Sequence, residues 1–321
     1  MKTGVLAPLI AAIALAIPVS GREFTDAQGR KIQAEIVSVK GDQVTIRRAD
    51  RKDYTIAIAL LSEADQAYIR QWKPGAAAAD NPPVKVDDDV KPGATLTLEF
   101  PELPKDRHDQ PAACHVKLPA DYDPAKKYGL AVWLGGGDGG NQPNGAFIPD
   151  GPFVLAGLPY PKGASNPGQA NMVGEYDVVW EFQRTMLNRI FEKIPNLDKT
   201  RSVLGGFSNG GHSIDGMLRV RDKEGAAADY FGAFVLADGG GGYASADGSY
   251  PTLTGKFAYI CWGEKSPNSA NSQDVAKDFR SRRAETVASE MADTGHQFAD
   301  FEQAKVRDWL KTVVMPAWGI E

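Results

Sequence analysis

The chain has 321 residues, enough for two domains of ordinary size. Apolar residues make up 42% and charged residues 24%, the balance of a soluble globular protein. A net charge of −5, with no basic run interleaved with aromatics, excludes the electrostatic footprint of a nucleic-acid binder. The N-terminus reads as an export signal, not as part of the fold. Lys2 supplies a positive start, Val5 to Ile17 is apolar, and Val19-Ser20-Gly21 offers small residues for cleavage near Gly21. The apolar run is short for a membrane span, so residues 1–21 are expected to be removed; a retained anchor is the alternative. The mature protein is expected in the periplasm or outside the cell, without a stable membrane span.

Residues 22–72 form a first unit. Lys31 to Val39 partly alternates, Lys40-Gly41-Asp42 turns, and Gln43 to Arg48 alternates again. Ala49 to Asp53 makes a second turn before a third strand, Tyr54 to Ile58. Ser62 can cap a following helix, with Asp65 at its third position and Ala64, Tyr68 and Trp72 on one face. The pattern predicts a small all-β barrel with a short terminal helix. Phe24-Thr25-Asp26, Gly29-Arg30-Lys31, Val44-Thr45-Ile46 and above all Leu60 to Ile69 make this unit resemble the Sla-one homology domain. The resemblance implies a binding or targeting role with a protein partner; a structural appendage is the other reading. Residues 73–93, with Pro74-Gly75, four alanines, Pro82-Pro83 and Asp87-Asp88-Asp89, read as a linker that buries no core.

Residues 94–321 alternate strands with helices, which predicts an α/β domain with a mostly parallel sheet and right-handed crossovers. Ala94 to Phe100 and Ala112 to Leu118 read as antiparallel lead-in strands. Tyr128 to Leu134, Phe153 to Leu158, Arg201 to Leu204, Phe231 to Ala237 and Phe257 to Trp262 read as buried strands. Helices are expected over Tyr176 to Ile194, Gly211 to Leu218, Val275 to Met291 and Phe301 to Val314. Cys114 and Cys261 fall in strand-like runs, where they are either paired or two separate buried thiols. Neither has metal-ligand spacing, and no cofactor is implied.

The chemistry centres on Gly206-Phe207-Ser208-Asn209-Gly210, followed by Gly211. A strand, this G-x-S-x-G turn and a helix are the order of a nucleophile elbow, where small neighbours let a serine sit in strained backbone. A hydrolytic serine needs a base, a group orienting the base, and an oxyanion hole. Of four histidines, His108 and His115 precede the serine, and His212 lies on the helix the elbow launches. His296, in Asp293 to Phe298, is therefore the candidate base, in a loop between two helical stretches. Asn209 and Gly137, within the glycine turn Gly135 to Gly140, are the candidate oxyanion donors; no Gly-Lys-Ser/Thr follows that would make the turn a phosphate loop. For the acid, Glu264 is preferred, Asp274 is the alternative, and Asp238 is a third choice.

This second unit resembles the α/β-hydrolase superfamily, and within it the secreted polyhydroxybutyrate depolymerase and feruloyl or acetylxylan esterase group. The elbow and the stretch Ile194 to Val203, with Asp198 and Arg201, carry the resemblance. By it Ser208 is the nucleophile, His296 the base, and the substrate an ester on a polysaccharide or similar polymer. Two positions depart from the group: Gly135 stands where many relatives have histidine, and Ser266 where the acid usually stands. The rival expectation is a binding or adaptor protein acting through residues 22–72, with a degenerate hydrolase domain. A peptidase is a third reading.

Overall fold

The computed structural model describes residues 22–26, 30–48, 53–72, 87–162, 175–220, 225–241 and 251–320. The expected signal segment and most of the expected linker lie outside them. The chain divides into two compact units, Met1–Pro83 and Val84–Glu321.

In the first unit, β1 (Arg22–Thr25), β2 (Lys31–Lys40), β3 (Gln43–Arg48) and β4 (Asp53–Ala57) form an antiparallel sheet in sequential order. A bulge in β2 between Ile36 and Ser38 shifts its register against β3. A single antiparallel bridge, Asp26 to Leu61, joins the end of β1 to the segment after a 3-10 turn at Ile58–Leu60. Among the described residues the architecture is thus a small antiparallel sheet with one bridge, and the closed barrel expected is not seen in them. Helix α1 (Glu63–Gln71) begins at Ser62, whose Oγ accepts from the Asp65 N–H at 3.3 Å. Its buried face is Asp65 and Ile69, while Ala64 is exposed, so the face expected from Ala64, Tyr68 and Trp72 is rotated. The physical reason is Asp65. Its carboxylate accepts from Arg22 Nη2 at 2.9 Å, the Thr25 N–H at 2.8 Å and Ser62 Oγ at 2.8 Å, tying α1 to β1.

Burial alone would raise the Asp65 pKa, but the Thr25 N–H, Arg22 and Ser62 outweigh it and hold the carboxyl below its ordinary value. A folded pKa below the unfolded one gives stability that is present above about pH 4 and lost as pH falls through the folded value. Asp65→Ala is expected to destabilise this unit by about 2–3 kcal/mol and to flatten its acid dependence. Denaturant titrations of the full chain at neutral and acid pH check both.

The second unit is built on an eight-stranded sheet of order β12-β11-β10-β9-β7-β8-β6-β5. Its strands are β5 (Thr95–Glu99), β6 (Ala113–Lys117), β7 (Gly129–Leu134), β8 (Phe153–Gly157), β9 (Val203–Phe207), β10 (Ala233–Ala237), β11 (Phe257–Gly263) and β12 (Glu285–Met291). β5 and β6 run antiparallel, and β7 through β12 pair in parallel. The mostly parallel sheet with its helices is consistent with an α/β-hydrolase fold. The helices are α2 (Tyr176–Lys193), α3 (Asn209–Met217), α4 (Ser269–Ser281) and α5 (Asp300–Trp309); the last continues through a π-helical turn at Leu310–Val314 to Met315–Ala317.

Period-2 alternation splits the sheet's side chains between two cores. Leu130, Val132, Leu134, Phe234 and Leu236 face one, with Val179, Met186 and Ile190 of α2. Ala131, Val235 and Ala237 face the other, with Val306, Trp309 and Leu310. Cys114 and Cys261 are separate, buried free thiols, and burial pushes Cys114 up to about 12.

Two expectations change here. The helix expected over Val275 to Met291 is α4, ending at Ser281, followed by strand β12. Arg283 takes a φ of 71°, which breaks the helix, and Glu285 to Met291 then pairs along the whole of β11. Residues 87–93, expected as linker, pack on this unit. Val90 is buried in its core, and Lys193 Nζ bonds Asp87 and Asp89, each at 2.8 Å.

Candidate active site

β9 ends at Phe207, and Ser208 follows at φ 54° and ψ −115° before α3 begins. That backbone is costly for a non-glycine residue and stays only where its surroundings fix it. The Ser208 N–H donates to the Ala237 carbonyl at 2.9 Å. Gly210 is required by close approach: a Cβ there would lie 2.2 Å from the Leu134 carbonyl oxygen. The elbow thus packs against the end of β7, and the serine side chain is turned outward.

Ser208 Oγ lies 2.9 Å from His296 Nε2, and His296 Nδ1 lies 2.8 Å from Asp238 Oδ2. A carboxylate can only accept, so Nδ1 carries the ring proton and Nε2 is left to accept from the serine hydroxyl. The Asp238 side chain is fully buried, while His296 stays partly open to solvent. The ring of His296 stacks on Phe207 with centroids 4.9 Å apart and planes at 29°.

The preferred acid, Glu264, is not at the histidine. Its Oε2 accepts from the Asp293 N–H at 2.8 Å and it is exposed. Asp274 is exposed within α4, paired with Lys277 at 2.9 Å, and is not the helix cap; Asn268 is. The sheet register explains why Asp238 takes the position. β10 lies directly beside β9, with Ala237 opposite Phe207. The next residues, Asp238 and Ser208, therefore leave the sheet side by side. Asp238 itself has a φ of 48°, a second strained position at this edge. Ser266 serves the same loop at one remove. Its Oγ accepts from the Asn268 N–H at 3.1 Å, and Asn268 Nδ2 donates to the Asp238 carbonyl at 2.9 Å. Asn268 Nδ2 also stands 3.5 Å from His296 Nδ1, but two donors facing each other make a contact, not a hydrogen bond.

His296 reaches the site from β12, at the edge of the sheet, not from between two helices. Its loop crosses the end of β11, where the Lys265 N–H donates to the Thr294 carbonyl at 2.8 Å. His115 and His108 are bonded elsewhere. His115 Nδ1 pairs with Thr97 Oγ1 at 3.0 Å, and His108 Nε2 approaches the Gly139 carbonyl at 3.3 Å.

The candidate oxyanion donors are brought together. Asn209 opens α3, so its N–H belongs to the first-turn donors that have no intrahelical acceptor. Its side-chain Nδ2 donates to the Gly137 carbonyl at 2.9 Å, tethering the glycine turn to the elbow, a bond the sequence reading missed. Gly137 has a φ of 58°, with open space where a side chain would stand. A Cβ on Gly136 would lie 3.2 Å from that of Ser208, which places the turn beside that serine. Tyr160 braces it from beneath: its hydroxyl donates to the Gly135 carbonyl at 2.7 Å, and burial keeps the phenol protonated. Arg107 holds the outer side through Asp138 at 3.1 Å.

No family model matches the chain, and no curated protein matches it. Among solved structures it is similar to a Bacillus cereus carboxylesterase, at 15% identity over 68% of this chain and 93% of that one, with a TM-score of 0.46. It is also similar to Thermogutta terrifontis esterase 2 phosphorylated by paraoxon, at 14% identity over 70% and 94% of the two chains, with a TM-score of 0.48. A third is the feruloyl esterase module from Clostridium thermocellum complexed with sinapinate, at 13% identity over 69% and 90%, with a TM-score of 0.45. At these values the likeness carries no function. No helix among the described residues is long and apolar enough to cross a membrane, and no cluster among them could hold a metal ion.

Proposed function

We propose that this protein is a serine hydrolase that cleaves carboxylic esters. The hydrogen-bond chain from Ser208 through His296 to Asp238 carries the reading. Ser208 Oγ attacks the ester carbonyl carbon while its proton passes to His296 Nε2. The carbonyl electrons move onto oxygen, and that oxyanion is held by the Asn209 N–H and an N–H of the turn at Gly137. Collapse re-forms the carbonyl and breaks the bond to the alcohol, which leaves with the proton from Nε2. Water then attacks the acyl-serine, gives its proton to Nε2, and the acid departs as Ser208 regains its hydrogen. Buried Asp238 holds the imidazole in the required tautomer throughout.

The rival reading, a binding protein with a degenerate hydrolase domain, rests on the serine at position 266, where the resemblance expects the acid. Asp238 supplies a carboxylate at the imidazole, so Ser266 no longer motivates it. A Sla-one-like role for residues 22–72, export, and a polymer-borne ester remain parts of the proposal that rest on sequence. Turnover of p-nitrophenyl and feruloyl esters by the purified protein, with peptide p-nitroanilides beside them, tests the reaction class. Ester cleavage without anilide cleavage is expected; anilide cleavage alone would make the protein a peptidase.

A further inference from the structure

The loop that carries Asp238 continues as Gly239-Gly240-Gly241, and the described residues of it lie against α3, the helix that starts at the nucleophile. The Gly240 N–H donates to His212 Nδ1 at 3.1 Å, and the Gly241 N–H donates to Asp215 Oδ2 at 2.8 Å. His212 and Asp215 are three residues apart, which places them on one face of α3. Both are buried, at 1% and 0% exposure. Asp215 is fixed in turn by Arg219, whose Nε and Nη2 donate to its Oδ1 at 3.0 and 2.8 Å. The loop has no slack of its own: a Cβ on Gly239 would lie 2.1 Å from the Ser208 carbonyl oxygen, and one on Gly241 2.4 Å from that of Asn271.

We infer that His212 is a positioning residue for the acid of the triad: together with Asp215 it clamps successive amides of the Asp238 loop onto the helix that carries Ser208. This rests on the reading of Asp238 as the triad acid. One rigid helix then sets the spacing of nucleophile and acid, and His296 bridges two groups already fixed relative to each other. The clamp needs an acceptor at Nδ1, so the ring proton sits on Nε2. Burial, with the nearby His296 adding to it, pushes His212 down to about 4, which keeps Nδ1 free to accept at neutral pH. The role does not require imidazole, only an acceptor at that point. Asparagine can present its Oδ1 there; leucine cannot.

The test compares His212→Leu and His212→Asn with wild type on a p-nitrophenyl ester, with rates expressed per active site titrated by a fluorophosphonate. His212→Leu is expected to lose about 10²-fold in kcat with KM unchanged, since a displaced acid misplaces the base by a fraction of an ångström. His212→Asn is expected to recover kcat to within about tenfold of wild type. His212→Ala replaces the leucine variant if that one does not fold. Full kcat per titrated site in the leucine or alanine variant would overturn the inference, as would folded asparagine and leucine variants that are equally impaired. A wild-type protein that neither turns over ester nor takes the probe would instead sink the hydrolase reading, and this inference with it.

Discussion

Asp238→Asn is expected to lower kcat by about 10⁴-fold while the protein stays folded. The carboxylate accepts from His296 Nδ1 at 2.8 Å and so leaves Nε2 as the acceptor for the serine proton. An asparagine amide can turn its NH₂ toward Nδ1. The ring then carries its proton on Nε2, facing Ser208, and cannot act as a base. It also loses the negative charge that stabilises the imidazolium as it forms. Glu264→Gln and Asp274→Asn are expected to leave kcat unchanged. Glu264 accepts the Asp293 N–H, which an amide oxygen can also do, and Asp274 lies exposed in α4. A large loss in Glu264→Gln with none in Asp238→Asn would reverse the assignment. Steady-state kinetics on one ester separates these outcomes.

Ser208→Ala is expected to lose about 10⁶-fold in kcat, with His296→Ala similar and the double variant little worse, because the residues act as one unit. Stability should be unchanged by Ser208→Ala. The hydroxyl's bond is to a histidine still partly open to water, and alanine faces the same φ of 54° as serine. Thermal melts beside the kinetics check both halves. An active Ser208→Ala protein would show that Ser208 is not the nucleophile.

Most of the sheet could be read from the sequence because its strands are short apolar runs set between glycine and proline turns, as at Tyr128 to Leu134 and Phe257 to Trp262. Strand β12 could not. Glu285 to Met291 has helical composition on its own, and only its seven-residue pairing with β11 makes it a strand. The sequence points to Ser208 and His296 because the elbow is a local motif and the other histidines lie before it or on the helix it launches, and the structure brings the two within 2.9 Å of each other. Asp238 was legible only as a third choice. Which strand end brings a carboxylate to His296 depends on spatial order in the sheet, and that order is not local. The pairing of Ala237 with Phe207 decides it, and no spacing in the chain announces that pairing. The Asn209 tether to Gly137 and the His212–Gly240 bond were hidden for the same reason: each joins residues distant in sequence.

The most direct test is to label the purified protein with a fluorophosphonate probe and map the adduct by mass spectrometry. A working Ser208–His296–Asp238 set requires one adduct, on Ser208, lost in Ser208→Ala and His296→Ala and strongly slowed in Asp238→Asn. Folded wild-type protein that takes no probe, or takes it on another residue, would contradict it.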